Sequence, residues 1–315
     1  MNATATAHPN IALIKYWGKR NIALNLPAVP SLSVTLDSFS TKTTVQWGSH
    51  EDSLTINGTR HTGQPLSRVQ RFLDLIDSQR PRVCVTSENN FPTAAGLASS
   101  SSAFAALAMA ATAAAGQSLN PQQLSVLARR GSGSACRSLW GGWVLWPMGC
   151  RPDGNDCHGQ PIAPENHWDV KMVVALVTTT PKKIGSTQGM LRTQDTSALY
   201  PGWIDTAQSD ITDAIAAIKH RDLERLGTAM ERSTLKMHAT MISCGVRYWQ
   251  PETVALLDRV EALRDHGIGA WYTMDAGPNV KVLCATKDAE KVSLALKEIT
   301  PNTHTLGVGH DARLC

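Results

Sequence analysis

Phe91-Pro-Thr-Ala-Ala-Gly-Leu-Ala-Ser-Ser-Ser-Ser102 runs straight into an alanine-rich stretch, Ala103 to Ala115, that ends at Gly116. Alanine is the best helix former, and a serine just ahead of such a run is a good N-cap. The stretch therefore reads as a small-residue loop emptying into a helix N-terminus. Unpaired N–H groups and the positive end of the helix dipole converge at such a point, which makes it an anion site. Gly96 lets a phosphate approach the backbone, and the hydroxyls of Ser99 to Ser102 add donors without charge. The pattern G-x-x-x-x-G-K-[ST] is missing from the chain, so a P-loop NTPase is excluded. Taken alone, the stretch is equally well explained as a solvated, serine-rich cap with no ligand.

Further segments of the same kind lie on either side. Upstream, Asn10-Ile-Ala-Leu-Ile-Lys-Tyr-Trp-Gly-Lys-Arg20 joins an apolar run to three cations. Gly18 interrupts any helix between Lys15 and Lys19, leaving a loop or strand end whose two lysines and tyrosine hydroxyl suit a phosphate-bearing ligand. The alternative is an amphipathic strand with ordinary surface lysines. Ser31 to Leu36 alternates at period two and predicts a half-buried strand. Thr41 to Trp47 and Asp52 to Ile56 are further short strands, the second closed by the hairpin turn Asn57-Gly58. Ser67 to Ile76 carries apolar residues at helical spacing, and Arg82 to Thr86 is a strand leading into the opening loop.

Downstream, Asn120-Pro121 starts a helix that closes at Arg130-Gly131. Gly131-Ser-Gly-Ser-Ala-Cys-Arg-Ser138 is a second glycine/serine loop, whose N–H groups can nest an anion while Arg137 adds a bidentate fork. Leu139 to Trp146 and Asp169 to Thr180 read as strands, with a surface loop from Gly149 to Trp168 between them. A domain boundary near Pro181 divides the chain into 1–181 and 182–315. Lys182-Lys-Ile-Gly-Ser-Thr-Gln-Gly-Met190 reads as a third small-residue loop with basic neighbours, or else as a solvated linker. Three helical stripes follow: Trp203 to Ile218, Leu223 to Met237 and Val254 to Leu263. Asp275 closes a strand just before Ala276-Gly277-Pro278, where either a catalytic base or a turn-capping carboxylate fits. Val280 to Ala285 and Asp288 to Ile299 are a last strand and helix. His238, on an apolar helix, reads as a satisfied core or interface histidine.

The totals exclude several classes. At 315 residues the chain holds two ordinary domains, and 18% charged with 42% apolar residues is a globular balance. A net charge of +4 without a basic run, and nine scattered Trp, argue against a nucleic-acid surface and fit small anionic ligands. The seven cysteines form no C-x-x-C, so neither a zinc knuckle nor a disulfide framework is expected, and His and Cys lack metal-ligand spacing. No leader-like start and no apolar run near the ~18 residues of a membrane span are present, which predicts a cytoplasmic protein.

Together, NIALIKYWGKR (10–20), SLSVTLD (31–37), PTAAGLASS (92–100), GSGSACRS (131–138), STQGM (186–190) and YTMDAGPN (272–279) resemble the diphosphomevalonate decarboxylase family of the GHMP small-molecule kinase superfamily. IKYWGK with MDAGPN is specific to that family; the glycine/serine loop alone indicates only the superfamily. The resemblance spans nearly the whole chain in the family's order. It implies an α+β fold of two domains, the N-terminal half like ribosomal protein S5 domain 2 and the C-terminal half ferredoxin-like, with the active site between them. The reaction it implies is ATP-dependent phosphorylation of the 3-hydroxyl of mevalonate 5-diphosphate, followed by loss of phosphate and CO₂ to give isopentenyl diphosphate.

Carried over residue by residue, Asp275 resembles the aspartate that takes or orients the hydroxyl proton. Arg137 resembles the arginine on the substrate carboxylate, and Asn10 the asparagine that orients it. Lys15 lies near the transferring phosphate and Ser186 near the γ-phosphate. Tyr16, Lys19, Ser132, Gly133 and Ser134 match the substrate diphosphate contacts. Gly96, Leu97, Ala98, Ser99, Ser100 and Ser101 match the ATP phosphate loop, with Mg²⁺ held mainly through ATP and no dedicated metal ligand. A homodimer is implied too. Ala28-Val29-Pro30, Ser101, Ser102 and Thr187 depart from common family residues, and Thr187 removes one possible diphosphate contact. A phosphomevalonate decarboxylase therefore stays open, as does a GHMP kinase without decarboxylation.

Overall fold

The computed structural model describes residues 2–91, 99–180 and 182–315. Pro92 to Ala98, which include the expected phosphate-loop residues Gly96, Leu97 and Ala98, lie outside the described residues, as does Pro181 at the expected boundary.

The alanine run does what its composition dictates. Helix Ser99–Ala114 is buried nearly all round, because side chains this small let a helix lie close to a sheet on one side and to its neighbouring helix on the other. The sheet beneath it has six strands, in the order Arg313–Leu314, Asn2–Ala7, Thr41–Trp47, Val83–Asn89, Ser53–Ile56 and Thr59–His61. Val45, Val83, Val85 and Leu54 face the helix, and Phe72 meets Phe104 edge-on with ring centroids 5.3 Å apart. The turn at Asn57-Gly58 has positive φ at both residues, as the primed hairpin expected there requires.

A second sheet runs Gln160–Ala163, Trp143–Trp146, Ser31–Thr35, Asn10–Ile14. A third runs Ala270–Met274, Val280–Ala285, Val170–Ala175, Thr303–Leu306, and all its ladders are antiparallel. Between these two sheets, helices Tyr200–His220 and Leu223–Ser243 bury Ile211, Ile218, Leu226 and Met230 in one core with Ile11, Leu13, Leu32 and Leu283. This shared core fixes the strand Asn10–Ile14 relative to the end of Ala270–Met274, which is what brings distant site residues together.

Several local readings change; the expected strands at 139–146 and 169–180 shorten to Trp143–Trp146 and Val170–Ala175, and the loop at 131–138 holds the helical turn Gly133–Cys136. Strand Ser31–Thr35 is buried throughout rather than half-buried, because Leu32 and Val34 fill the core while the hydroxyl face is covered by Arg137 and the Trp140 backbone. Helix Ser99–Ala114 begins four residues before Ala103, so Ser99 to Ser102 form its first turn. The segment read as a loop to Met190 holds helix Ser186–Thr196. The loop from Gly149 to Trp168 contains the short strand Gln160–Ala163, which pairs with Trp143–Trp146.

Candidate active site

A cleft of about 900 Å³ opens where the first two sheets meet the third. Five cationic side chains line it, Lys15, Lys19, Arg68, Arg137 and Lys182, against one carboxylate, Asp275. Such an imbalance in a partly desolvated cavity is tolerable only if the cavity receives anions.

Asn10 and Lys15 come from one strand. Asn10 opens Asn10–Ile14 and Lys15 follows it, so the two sit at opposite ends of an extended segment about 16 Å long. At the first end, Arg137 follows the short helical turn Gly133–Cys136 and is 2% exposed. Its Nε and Nη2 donate to Asn10 Oδ1 at 3.3 and 3.1 Å, and Nη1 donates to Ser31 Oγ. Asn10 is itself held, since Nδ2 donates to Ser138 Oγ at 2.7 Å and to the Ser134 carbonyl at 3.0 Å. The guanidinium lies 5.6 Å from the centroid of the Trp146 ring. No carboxylate bonds Arg137 among the described residues. A buried cation so oriented and left without an anion is a receptor for a planar anion such as a carboxylate.

At the other end, Lys15 Nζ donates to Asp275 Oδ1 at 2.8 Å and to the Ala12 carbonyl at 2.8 Å. Lys281 Nζ donates to Asp275 Oδ2 at 3.1 Å. Burial pushes the Asp275 carboxyl up, but the ammonium groups of Lys15 and Lys281 outweigh burial and hold it well below the usual carboxylate range. Burial lowers Lys15 to about 8 even though Asp275 opposes the shift, and Lys281 and Arg137 push the same way as burial. Lys182 Nζ bridges Ser186 Oγ at 2.7 Å to the Ala276 carbonyl at 2.8 Å, tying the start of helix Ser186–Thr196 to the turn after Asp275.

Beside these groups, lining the same cleft, lie the residues expected to meet a diphosphate. Tyr16 packs edge-on against Trp146 at 4.8 Å, and its enclosed hydroxyl has no hydrogen-bond partner among the described residues. Gly133 sits so close that a Cβ there would come within 3.0 Å of both rings. Ser132 Oγ lies 3.1 Å from Ser100 Oγ, joining the second glycine/serine loop to the alanine helix. Gly18, with φ +99, supports the tight path into Lys19; a Cβ would fall 1.9 Å from the Tyr200 hydroxyl. Burial lowers the Lys19 pKa, and the charge of Arg68, which lines the same cleft, adds to the effect. Ser99 and Ser100 line the cleft, whereas Ser101 is fully buried and accepts from the Asn10 N–H at 3.4 Å. Ser102 likewise turns inward, 2.7 Å from Thr41 Oγ1. A second cavity of about 490 Å³ shares Arg68, Ser99 and Ser100 with the first and is walled by Leu54, Val69, Val85 and Phe104.

Reading the sequence did not single out Lys281, Lys182, Arg68, Ser31 or Ser138. Lys281 carried a signal as a lysine inside the apolar strand Val280–Ala285, and Lys182 as a basic neighbour of the small-residue segment to Met190. His238 is a core histidine, 1% exposed, whose Nδ1 accepts from Trp249 Nε1 at 2.9 Å. No group of three or more His, Cys, Asp or Glu among the described residues could hold a metal ion. No described helix is long and apolar enough to cross a membrane.

Comparison with known proteins shows the family. Residues 7–159 match the model of the diphosphomevalonate decarboxylase-like N-terminal domain, and residues 172–311 match that of the mevalonate 5-diphosphate decarboxylase C-terminal domain. The diphosphomevalonate decarboxylase of Gibberella zeae is 39% identical over 314 residues, covering 91% of this chain and 82% of its own. MDDEF solved in complex with MVAPP, AMPPCP and magnesium is 40% identical with a TM-score of 0.94, covering 100% of this chain and 99% of its own. The mevalonate diphosphate decarboxylase of Staphylococcus aureus is 35% identical, also with a TM-score of 0.94, covering 100% and 98%. Likeness over both halves gives this chain the two-domain α+β fold of the GHMP kinases. On these matches and on the residues gathered in its cleft, the chain belongs to the diphosphomevalonate decarboxylase family.

Proposed function

We propose that this protein catalyses ATP-dependent decarboxylation of mevalonate 5-diphosphate, yielding isopentenyl diphosphate, ADP, phosphate and CO₂. The observation that carries the reading is Arg137: a buried guanidinium locked by Asn10 and Ser31, without an acid of its own, in the same cleft as Asp275 and Lys15. A kinase has no need to hold a carboxylate beside the carbon it phosphorylates. A decarboxylase must, because the C–C bond has to be aligned with the departing phosphate.

In this reading Arg137 fixes the substrate carboxylate and Asp275 accepts a hydrogen bond from the 3-hydroxyl, orienting its oxygen toward the γ-phosphate. Lys15 and Ser186 sit where charge accumulates on the transferring group. Phosphorylation turns a poor leaving group into a good one; as phosphate departs, the electron pair of the C–CO₂ bond forms the alkene and CO₂ leaves. Tyr16, Lys19, Ser132, Gly133 and Ser134 hold the diphosphate. The cations Lys19 and Arg68 favour a diphosphate over a monophosphate there, even with Thr187 on the cleft wall. ATP places its phosphates near Ser99 and Ser100, not the inward-turned Ser101, and its nucleoside in the adjoining apolar cavity. A cleft with many cations and no cluster of metal-binding acids fits Mg²⁺ carried by the nucleotide, which would neutralise phosphate charge.

Segments 1–181 and 182–315 are proposed as the two domains, the first with the phosphate loop and the second with the catalytic aspartate. The protein is proposed to work as a cytoplasmic homodimer, for which sedimentation of the purified chain is the check. The central test is paired ADP and CO₂ release with mevalonate 5-diphosphate and with mevalonate 5-phosphate. Equal release of both products from the diphosphate, with the monophosphate poor, is expected. ADP without CO₂ would make the protein a kinase, and a preference for the monophosphate would reassign the 5-substituent.

A further inference from the structure

Strand Val280–Ala285 is apolar apart from Lys281, which is 1% exposed. An ammonium placed there must overcome the cost of leaving water, and an apolar residue would pack into the sheet without that cost. Its register explains what it reaches. Lys281 lies opposite Thr273 in the ladder with Ala270–Met274. Asp275 is two residues beyond Thr273, and side chains two apart on a strand leave the same face. Lys281 Nζ therefore meets Asp275 Oδ2 at 3.1 Å, from behind the residues that line the cleft, while Lys15 takes Oδ1 at 2.8 Å from the cleft side.

We propose that Lys281 is a positioning residue of the reaction: it pins the second oxygen of Asp275 and so fixes the plane of the carboxylate beneath the substrate hydroxyl. A carboxylate bonded to Lys15 alone could rotate about its own side-chain torsions, since one contact leaves the other oxygen undirected. Two contacts from opposite sides define the plane, and the lone pairs left over point into the cleft. The inference rests on the decarboxylase reading for the identity of that hydroxyl.

The same arrangement couples Lys281 to Lys15. Asp275, Lys281, Arg137 and His238 are the titratable groups that face Lys15; Lys15, Lys281, Lys182 and His238 are those that face Asp275. Burial drives His238 down to about 3, so it adds no charge near neutrality. Removing the Lys281 charge relieves repulsion on Lys15, and the pH at which Lys15 loses its proton rises.

Lys281→Met in the full-length protein tests this. Misplacing a reacting group by about 1 Å costs on the order of 10²-fold, so kcat should fall by roughly that factor with the affinity for an ATP analogue unchanged. The alkaline limb of kcat/KM should move to higher pH, which loss of packing alone would not produce. Combined with Asp275→Asn, the substitution should add almost nothing, because Lys281 acts through that carboxylate. A ¹³C-carboxyl titration, with the Asp275 signal assigned through Asp275→Asn, should show its midpoint raised in Lys281→Met whatever the turnover. Wild-type kcat with an unmoved limb, full additivity with Asp275→Asn, or an unchanged Asp275 titration each overturns the proposal. If Lys281→Met does not fold, Lys281→Gln keeps a donor without the charge and is held to the same outcomes. A wild-type protein that released no CO₂ would remove the decarboxylase reading while leaving the titration to judge Lys281.

Discussion

The two ends of the cleft are built differently. Around Arg137 and Asp275, proposed to read the carboxylate and hydroxyl of the substrate, these polar groups are already engaged. Arg137 is locked by Asn10 and Ser31, and Asp275 by Lys15 and Lys281, with the cations 1–2% exposed. Where the diphosphate is proposed to bind, Lys19 is part-exposed, Tyr16 has an enclosed hydroxyl without a partner among the described residues, and Ser99 and Ser100 open onto the cleft. The first end is fixed before the substrate arrives, so its contacts need no reorganisation as charge moves. On the proposed function the second end is completed by the ligand, with contacts made equally in ground and transition states. Damage at the first end should therefore appear in kcat and damage at the second in KM.

Asp275→Asn should show the largest effect. Losing the carboxylate that orients or deprotonates the hydroxyl costs ~10²–10⁴-fold in rate, with ATP analogue binding retained. It also leaves two ammonium groups facing an amide. Removing one partner of a buried pair costs about 3–5 kcal/mol, and the 27% exposure of the Asp275 side chain places this case at the low end. Thermal melting should register that loss while circular dichroism stays native. ADP release at the wild-type rate would return Asp275 to a turn cap.

Arg137→Gln comes next. It keeps a donor but loses the charge and one prong, and a fall of about 10²–10³-fold in kcat is expected, as for a lost oxyanion donor. Asn10→Ala should act in the same direction but more weakly, and the double variant should be less than additive, because Asn10 works by holding Arg137. A variant of Arg137 that failed only in ATP binding would transfer this loop to the nucleotide and dissolve the contrast between the two ends.

Lys19→Ala belongs to the other end. A charge-assisted contact is worth roughly 1.5–3 kcal/mol, and partial exposure puts Lys19 toward the lower figure. KM for the diphosphate substrate should rise about tenfold with kcat nearly intact. A collapse of kcat at constant KM would show that this end, too, is set before binding.

The mildest effect is in pH. Lys15 is charged only below about 8 in the free protein, against an ordinary value of 10.5, so kcat/KM should fall as pH rises through about 8. Bound phosphates favour the ammonium, so the limb in kcat should lie higher. The stability term runs the opposite way. The unfolded chain keeps the Lys15 proton up to 10.5, so between about 8 and 10.5 the contribution of Lys15 to stability improves as pH rises. Activity and melting temperature followed across that window should diverge.

Local chemistry made much of this legible in the sequence. Alanine propensity marked the central helix, Asn57-Gly58 a hairpin turn, and Asn120-Pro121 a helix start, where the structure adds a capping box between Asn120 and Gln123. Small-residue loops carrying Arg137, and a strand running out at Asp275, exposed the polar residues of the cleft because such residues break the apolar pattern around them. Helix Ser186–Thr196 was hidden by the opposite circumstance: its first turn, Ser-Thr-Gln-Gly, has no apolar period to show.

What the sequence could not assign was direction and partnership. Ser99 to Ser102 are four like residues in a row, yet successive helical side chains turn by about 100°, so Ser99 and Ser100 face the cleft while Ser101 and Ser102 face Asn10 and Thr41. Arg137 and Asn10 are 127 positions apart, and Lys15 and Asp275 are 260 apart. No local propensity couples residues at such separations; only the core shared by the second and third sheets does. Lys281 makes the same point most sharply: sequence shows a lysine in an apolar strand, and only the ladder opposite Thr273 shows that its charge is spent on Asp275.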